Sequence, residues 1–222
     1  MKLFKYQHWH LIMLAFLLTI LFFSIKSDNS LLKGELFGIN TSSWLLVAVL
    51  SPILHQIYVL LCWRSELLYN SISKTFGANG FKLYKTGFTI LFLSRLLTIV
   101  FLAISNSNTL PINTVLAFTL AAICFILSAY LFYSVKKYFG IDRAFGIDHF
   151  HPKELKTVPF VRKGIFKYTS NGMYIYGFLI LYIPGFLLLS KAALLVALFN
   201  HIYIWAHYYF TELPDIKIIY DD

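Results

Sequence analysis

Side chains able to do chemistry are few in this 222-residue chain, and they gather in its last third. The run Lys-Gly-Ile-Phe-Lys-Tyr-Thr-Ser-Asn-Gly-Met-Tyr-Ile-Tyr-Gly from Lys163 to Gly177 supplies an amide, Asn171, and the rings of Tyr168, Tyr174 and Tyr176. Asn171 and Tyr174 stand three apart and share a face if helical, while Gly164 and Gly177 allow close backbone approach. Further on, His201, Trp205, Tyr208 and Glu212 follow at spacings of 4, 3 and 4, one stripe of a helix, with His207 beside it. A carboxylate ending such a stripe can pair with a cation or take up a proton. His149 and His151 lie upstream in a polar loop, and His149 joins Glu212 as a catalytic candidate. No metal site is expected, because His201 and His207 are about 600° apart around a helix and so face different ways. No G-x-G-x-x-G, Walker or G-x-S-x-G signature occurs, which sets aside the soluble nucleotide-binding and hydrolase classes.

The elements that must position these residues are apolar. Hydrophobic residues make up 59% of the chain and charged ones 13%, where soluble domains carry about 25% charged. Uncharged stretches run over 6–25, 36–63, 96–135, 168–190 and 192–211, each long enough for a bilayer crossing of about 20 residues. The reading is an all-α polytopic transmembrane bundle of six helices, at 8–25, 43–63, 86–104, 114–135, 170–189 and 191–210. The last two form a hairpin turning near Ser190-Lys191, kinked at Pro184-Gly185; a shallower re-entrant hairpin is the alternative. The first stretch is read as a retained span, since no A-x-A-like site follows Ser24. Cys62 and Cys124 fall inside apolar runs and read as small buried hydrophobes.

Nothing marks a second folded domain, so residues 1–222 read as one membrane domain with the functional region in 136–222. The segment 136–167 holds eight basic and three acidic residues and an internal echo, Phe-Gly-Ile-Asp at 139–142 and again at 145–148. The net charge of +9 is assigned to anionic lipid headgroups and orientation, not to nucleic acid. Two polar residues inside spans stand apart. Arg95 is costly at membrane depth and a functional candidate for that reason, and His55 follows Pro52 in the second helix.

The 163–177 run, followed by His-Tyr-Tyr-Phe-Thr-Glu-Leu-Pro-Asp at 207–215 and then Tyr220, resembles the membrane methyltransferases of the phospholipid N-methyltransferase and isoprenylcysteine carboxyl methyltransferase superfamily. Asn-Gly-Met-Tyr at 171–174 is closest to the Asn-Pro-Met-Tyr of the phosphatidylethanolamine branch, and 138–141 also looks like that branch. Gly172 replaces the proline, the Tyr174 to Gly177 spacing is one residue longer, and the superfamily's glutamate pair reads Thr211-Glu212. The resemblance implies S-adenosylmethionine as cofactor and a membrane lipid, the phosphatidylethanolamine amine, as acceptor. It implies cofactor contacts at Gly164, Tyr168, Asn171, Tyr174, Gly177, His207 and Glu212. Donor binding is the role expected of Glu212, because an exposed carboxylate with a pKa near 4.3 is a weak base for an ammonium. Other acceptors of the same superfamily, a prenylated cysteine carboxylate or a small thiol, are the first alternative. A small transporter or scaffold is the second.

Lys and Arg counted by compartment, Arg95 apart, divide fifteen against three. The positive-inside rule then places both termini and 136–167 in the cytoplasm, in a bacterial inner membrane or the endoplasmic reticulum. A reporter fused after Asp222 should accordingly be active only on the cytoplasmic side; activity on the outer side overturns the orientation.

Overall fold

A computed structural model of the chain describes residues 3–220. Its helices are α1 (Gln7–Ser27), α2 (Thr41–Tyr69), α3 (Gly80–Ser105), α4 (Thr114–Ser134), α5 (Gly172–Leu187), α6 (Lys191–His207) and α7 (Leu213–Tyr220). A two-stranded antiparallel pair, Glu35–Leu36 against Ile39–Asn40, joins α1 to α2. The first four helices, α4 counted with its continuation to Phe139, are long and apolar enough to cross a membrane. Their outward residues fit a lipid surroundings: Phe16, Phe125 and Ile126 are each more than half exposed. At 29 residues α2 is about 44 Å long. It therefore overshoots a ~30 Å core and carries Trp63, Arg64 and Glu66 past it.

The sequence predicts one kinked helix over 170–189. Instead α5 is two α-helical pieces, Gly172–Tyr176 and Ile183–Leu187, around a 3-10 stretch at Gly177–Tyr182. Pro184 has no N–H for the Ile180 carbonyl and Gly177 is a poor helix former, so the tighter i to i+3 bonding takes over between them. The turn falls where expected. Leu189 adopts a left-handed φ of 51°, and the Ser190 hydroxyl accepts from the Ala193 N–H to start α6. Lys191 pairs with Asp28 at 2.7 Å, and the buried Asn106 side chain bonds Ser30, Lys33, Ser190 and Ala192. The hairpin thus reaches the same end of the bundle as the α1 C-terminus, so it runs full height and is not re-entrant.

The core lies between α1, α2, α3 and α6. Ala192, Ala193 and Ala197 are fully buried; such small side chains let backbones approach closely where lipid supplies no hydrophobic drive. By contrast α4 packs mainly on α5 and forms a flank.

At the opposite end, α6 passes into a π-helical turn, Tyr208–Glu212, before α7. The cause is local. Pro214 lacks the N–H that would bond the Phe210 carbonyl four residues back, and that carbonyl takes Arg64 Nη2 at 2.9 Å and Gln7 Nε2 at 2.8 Å instead. The same guanidinium donates to the carbonyls of Leu3 and Lys5 and pairs through Nε with Asp215 at 3.1 Å. Arg64 is 2% exposed, and it ties the N-terminal entrance of α1, the π turn and α7 to α2. Removing one partner of a buried pair costs about 3–5 kcal/mol. Arg64→Met should therefore lower the thermal midpoint of the detergent-solubilised protein, and adding Asp215→Asn should cost less than the sum of the two single changes. Additive losses would show that the pair does not couple these segments.

Candidate functional site

The 136–167 segment is folded over the end of α2 by two glycine reversals, and these explain the sequence echo. Gly140 (φ 94°) ends the π turn Val135–Phe139 that follows α4, and Gly146 (φ 85°) starts the turn Ile147–His149. A methyl group on Gly146 would lie 2.4 Å from the Trp63 ring, so only glycine permits this approach. The reversal lays His149 flat on Trp63, with ring centroids 4.1 Å apart and planes 18° apart. His149 Nδ1 lies 3.3 Å from the Gly146 carbonyl and Nε2 faces Asp215 Oδ2 at 3.6 Å.

Three carboxylates meet beneath this turn. Asp215 is held by Arg64. Asp148 accepts the Tyr220 hydroxyl through Oδ2 and pairs with Arg143 at 3.4 Å, while its Oδ1 is buried without a partner. Glu212 is partly exposed as a residue, yet its Oε2 is buried and lacks a hydrogen-bond partner. Burial first, and then the nearby charges of Asp215 and Asp148, push the Glu212 pKa up to about 8. The expected stripe from His201 to Glu212 does not stay on one face, because the π turn rotates Glu212 away from an α-helical continuation. His201 sits lower, near Tyr182 and Phe178, and Glu212 joins the acidic cluster.

Trp63 also lines a cavity of about 460 Å³ formed by α2, α3, α4, α5 and α6. Tyr174, Gly177 and His207 line it, with His55 and Arg95. Tyr174 packs on Trp205 and Tyr208 at 5.9 and 5.5 Å. A Cβ on Gly177 would come within 2.8 Å of Leu131. His207 is buried, 5.3 Å from Trp63, with Nδ1 unpartnered. Trp63 is thus the wall shared by cavity and acidic cluster.

The structure brings together Tyr174, Gly177 and His207 at the cavity, and Glu212 and His149 at the cluster. It leaves three candidates outside both. Tyr168 is 75% exposed. Gly164, at a φ of 60°, packs on Ser134 and Tyr138. Asn171 precedes α5, its carbonyl accepting the Tyr174 and Ile175 N–H groups. Trp63, Asp215 and Asp148 were not singled out by spacing, since they come from segments far apart in the chain. The available signal was charge and a ring at the rim of a span.

Residues 116–222 match the phospholipid methyltransferase family. That match, over just under half of the chain, supports the superfamily of integral membrane methyltransferases to which the motifs point. No curated protein and no solved structure matches the chain. The matched residues supply α4 through α7, hence Tyr174, His207 and Glu212, while Trp63 and Arg95 lie before them.

A carboxyl whose folded-state pKa is raised to about 8 binds its proton more tightly than in the unfolded chain. The folded state then holds the extra proton between about pH 4.5 and 8, and stability falls as pH rises through that window. Glu212→Gln should therefore raise the thermal midpoint relative to wild type at pH 8 and leave it nearly unchanged at pH 5. A midpoint lowered equally at both pH values would mean that Glu212 is a structural carboxylate.

Proposed function

We propose that this membrane methyltransferase transfers methyl groups from S-adenosylmethionine to the headgroup amine of phosphatidylethanolamine at the cytoplasmic face of its membrane. The observation that carries the proposal is the Glu212 carboxyl, its Oε2 unpartnered beside Asp148 and Asp215. Arg64 and Arg143 pair with Asp215 and Asp148, whereas Glu212 has no cation of its own among the described residues, and both the donor and a headgroup amine are cationic. The polar atoms left without partners around Trp63, at Glu212, Asp148, His149 and His207, fit a zwitterionic donor with a purine and a ribose. Glu212, His207 and the rings of Tyr174 and Trp63 are the residues that would hold it. The donor supplies an electrophilic methyl group on a sulfonium.

Glu212 has two tasks open to it, and its burial changes their balance. An exposed carboxylate near 4.3 is about six units short of an ammonium near 10.4, whereas a group at about 8 closes most of that gap. Glu212 is thus suited to take the proton that an ammonium must lose before its nitrogen can attack. Lowered by the approach of a cation, its pKa also makes it a counter-charge once ligand is bound. Trp63 and Tyr174 offer faces to a cation. His149, stacked on Trp63, fixes that ring, and positioning of this kind is the main source of rate in a direct displacement.

The acceptor is proposed to arrive sideways. Phe92 of α3 and Phe132 of α4 both line the cavity and are 40% and 38% exposed, which is the opening proposed for the lipid. Access there keeps acyl chains in hydrocarbon, where each exposed methylene would otherwise cost about 0.8 kcal/mol.

Expression in a host lacking phosphatidylcholine should give mono-, di- and trimethylated phosphatidylethanolamine by lipid mass spectrometry. Tyr174→Ala should weaken S-adenosylhomocysteine binding roughly ten- to a hundredfold, the worth of about 1.5–3 kcal/mol. Glu212→Gln should keep that affinity while losing turnover if it is the base, and lose affinity if it is the counter-charge. Folded wild-type protein that neither binds S-adenosylhomocysteine nor changes the host's lipids would sink the proposal.

A further inference from the structure

The cavity holds a cation without an anion. Arg95 is 4% exposed and makes one hydrogen bond, Nη2 to the Pro52 carbonyl at 3.3 Å. Its Nε has no partner, and the guanidinium carbon lies 5.7 Å from the centre of the Phe178 ring. The groups beside it are also unsatisfied: both ring nitrogens of His55 and the Oε1 of Gln56. The second charged residue on the lining is Lys136 at the rim, and no Asp or Glu lines the cavity among the described residues. Arg95 lies ten residues beyond Lys85 on α3, about 15 Å deeper along the helix. An uncompensated guanidinium at that depth is strongly unfavourable, and its fork of donors matches the geometry of an oxyanion.

We propose that Arg95, with His55 beside it, is the receptor for an oxyanion of the molecule that occupies this cavity. The inference deepens the methyl-transfer reading and rests on it for the ligand's identity. Two sources present that chemistry, the phosphodiester of the lipid and the α-carboxylate of the donor. Trp63 and His207 line the cavity with Arg95, and Trp63 also stacks on His149, which faces Asp215; a zwitterion with its anion at Arg95 would turn its cation toward that wall. Arg95 acts by binding and takes no part in bond making.

The test compares wild type with Arg95→Met and Arg95→Lys in detergent, reading thermal midpoint and calorimetric affinity. Four probes are used: phosphatidylethanolamine, diacylglycerol, S-adenosylhomocysteine and 5′-methylthioadenosine, which lacks the amino-acid group. Wild type should be stabilised by at least one oxyanion-bearing probe more than by its neutral counterpart. Arg95→Met should lose ten- to a hundredfold in affinity for that probe alone, and Arg95→Lys should retain part of it. Loss confined to phosphatidylethanolamine assigns the phosphodiester, and loss confined to S-adenosylhomocysteine assigns the carboxylate. Ligand-free Arg95→Met should be at least as stable as wild type, because it removes a desolvated cation; a purely structural arginine predicts the reverse. Unchanged affinity of Arg95→Met for both oxyanion-bearing probes, or a wild type that neither of them stabilises more than its neutral counterpart does, overturns the inference. Failure of methyl transfer itself is read separately: a wild type with no lipid product but an Arg95-dependent shift by phosphatidylethanolamine keeps the oxyanion site and rejects the reaction.

Discussion

The guanidinium of Arg64 is the contact on which the functional end of this molecule depends. A proline at 214 withdraws a backbone donor from the Phe210 carbonyl, and a carbonyl covered by protein must find another. Arg64 and Gln7 provide it. Because the same guanidinium also holds Asp215 and the backbone before α1, one side chain joins segments some 210 residues apart in sequence, from Leu3 to Asp215. The π turn that results aims Glu212 into the acidic cluster. Without an anchor on α2, the chain after His207 would lack the tie that holds Asp215 beside His149, which stacks on the Trp63 ring.

Charge is segregated around that ring. Carboxylates gather by His149 and α7, where Arg64 and Arg143 neutralise two of the three in part. Arg95 is buried on the cavity lining, with Lys136 exposed at its rim and no carboxylate among the described residues that line it. Each side is worse off in isolation than it would be with ligand: Glu212 keeps a proton that it would not hold in water, and Arg95 keeps donors unused. Unsatisfied groups are rare in buried positions, and two opposite kinds on the two sides of one cavity wall favour a ligand carrying both charges.

The helices were legible in sequence because charge-free runs of bilayer length leave little choice of structure. The hairpin turn at Ser190-Lys191 was legible for the same reason. The break within α5 was not, since the 3-10 stretch at Gly177–Tyr182 depends on the neighbouring Pro184 and on packing against α4. Tyr174 and His207 were placed by motif and stand at the cavity. Tyr168, an aromatic of the same motif, points outward, because a run of alternating polar and apolar residues does not say which face the fold will cover. Asp215 and Trp63 were invisible to spacing arguments, as their partners come from α2 and the chain's end.

The family match begins at residue 116, yet the cavity is completed by α2 and α3, which precede it. Trp63, Arg64, His55 and Arg95 all come from that first half. The matched half carries the motif residues Tyr174, His207 and Glu212, and the unmatched half carries the ring that divides cavity from cluster and the cation at the cavity's depth. Groups shared with the family bear on the chemistry common to it. Groups outside the match bear on which molecule fits, since they form the opposite wall and set its charge. On the proposed reading, acceptor choice would rest on α2 and α3 as well as on the motif, and a resemblance confined to the motif carries the reaction class further than it carries the substrate.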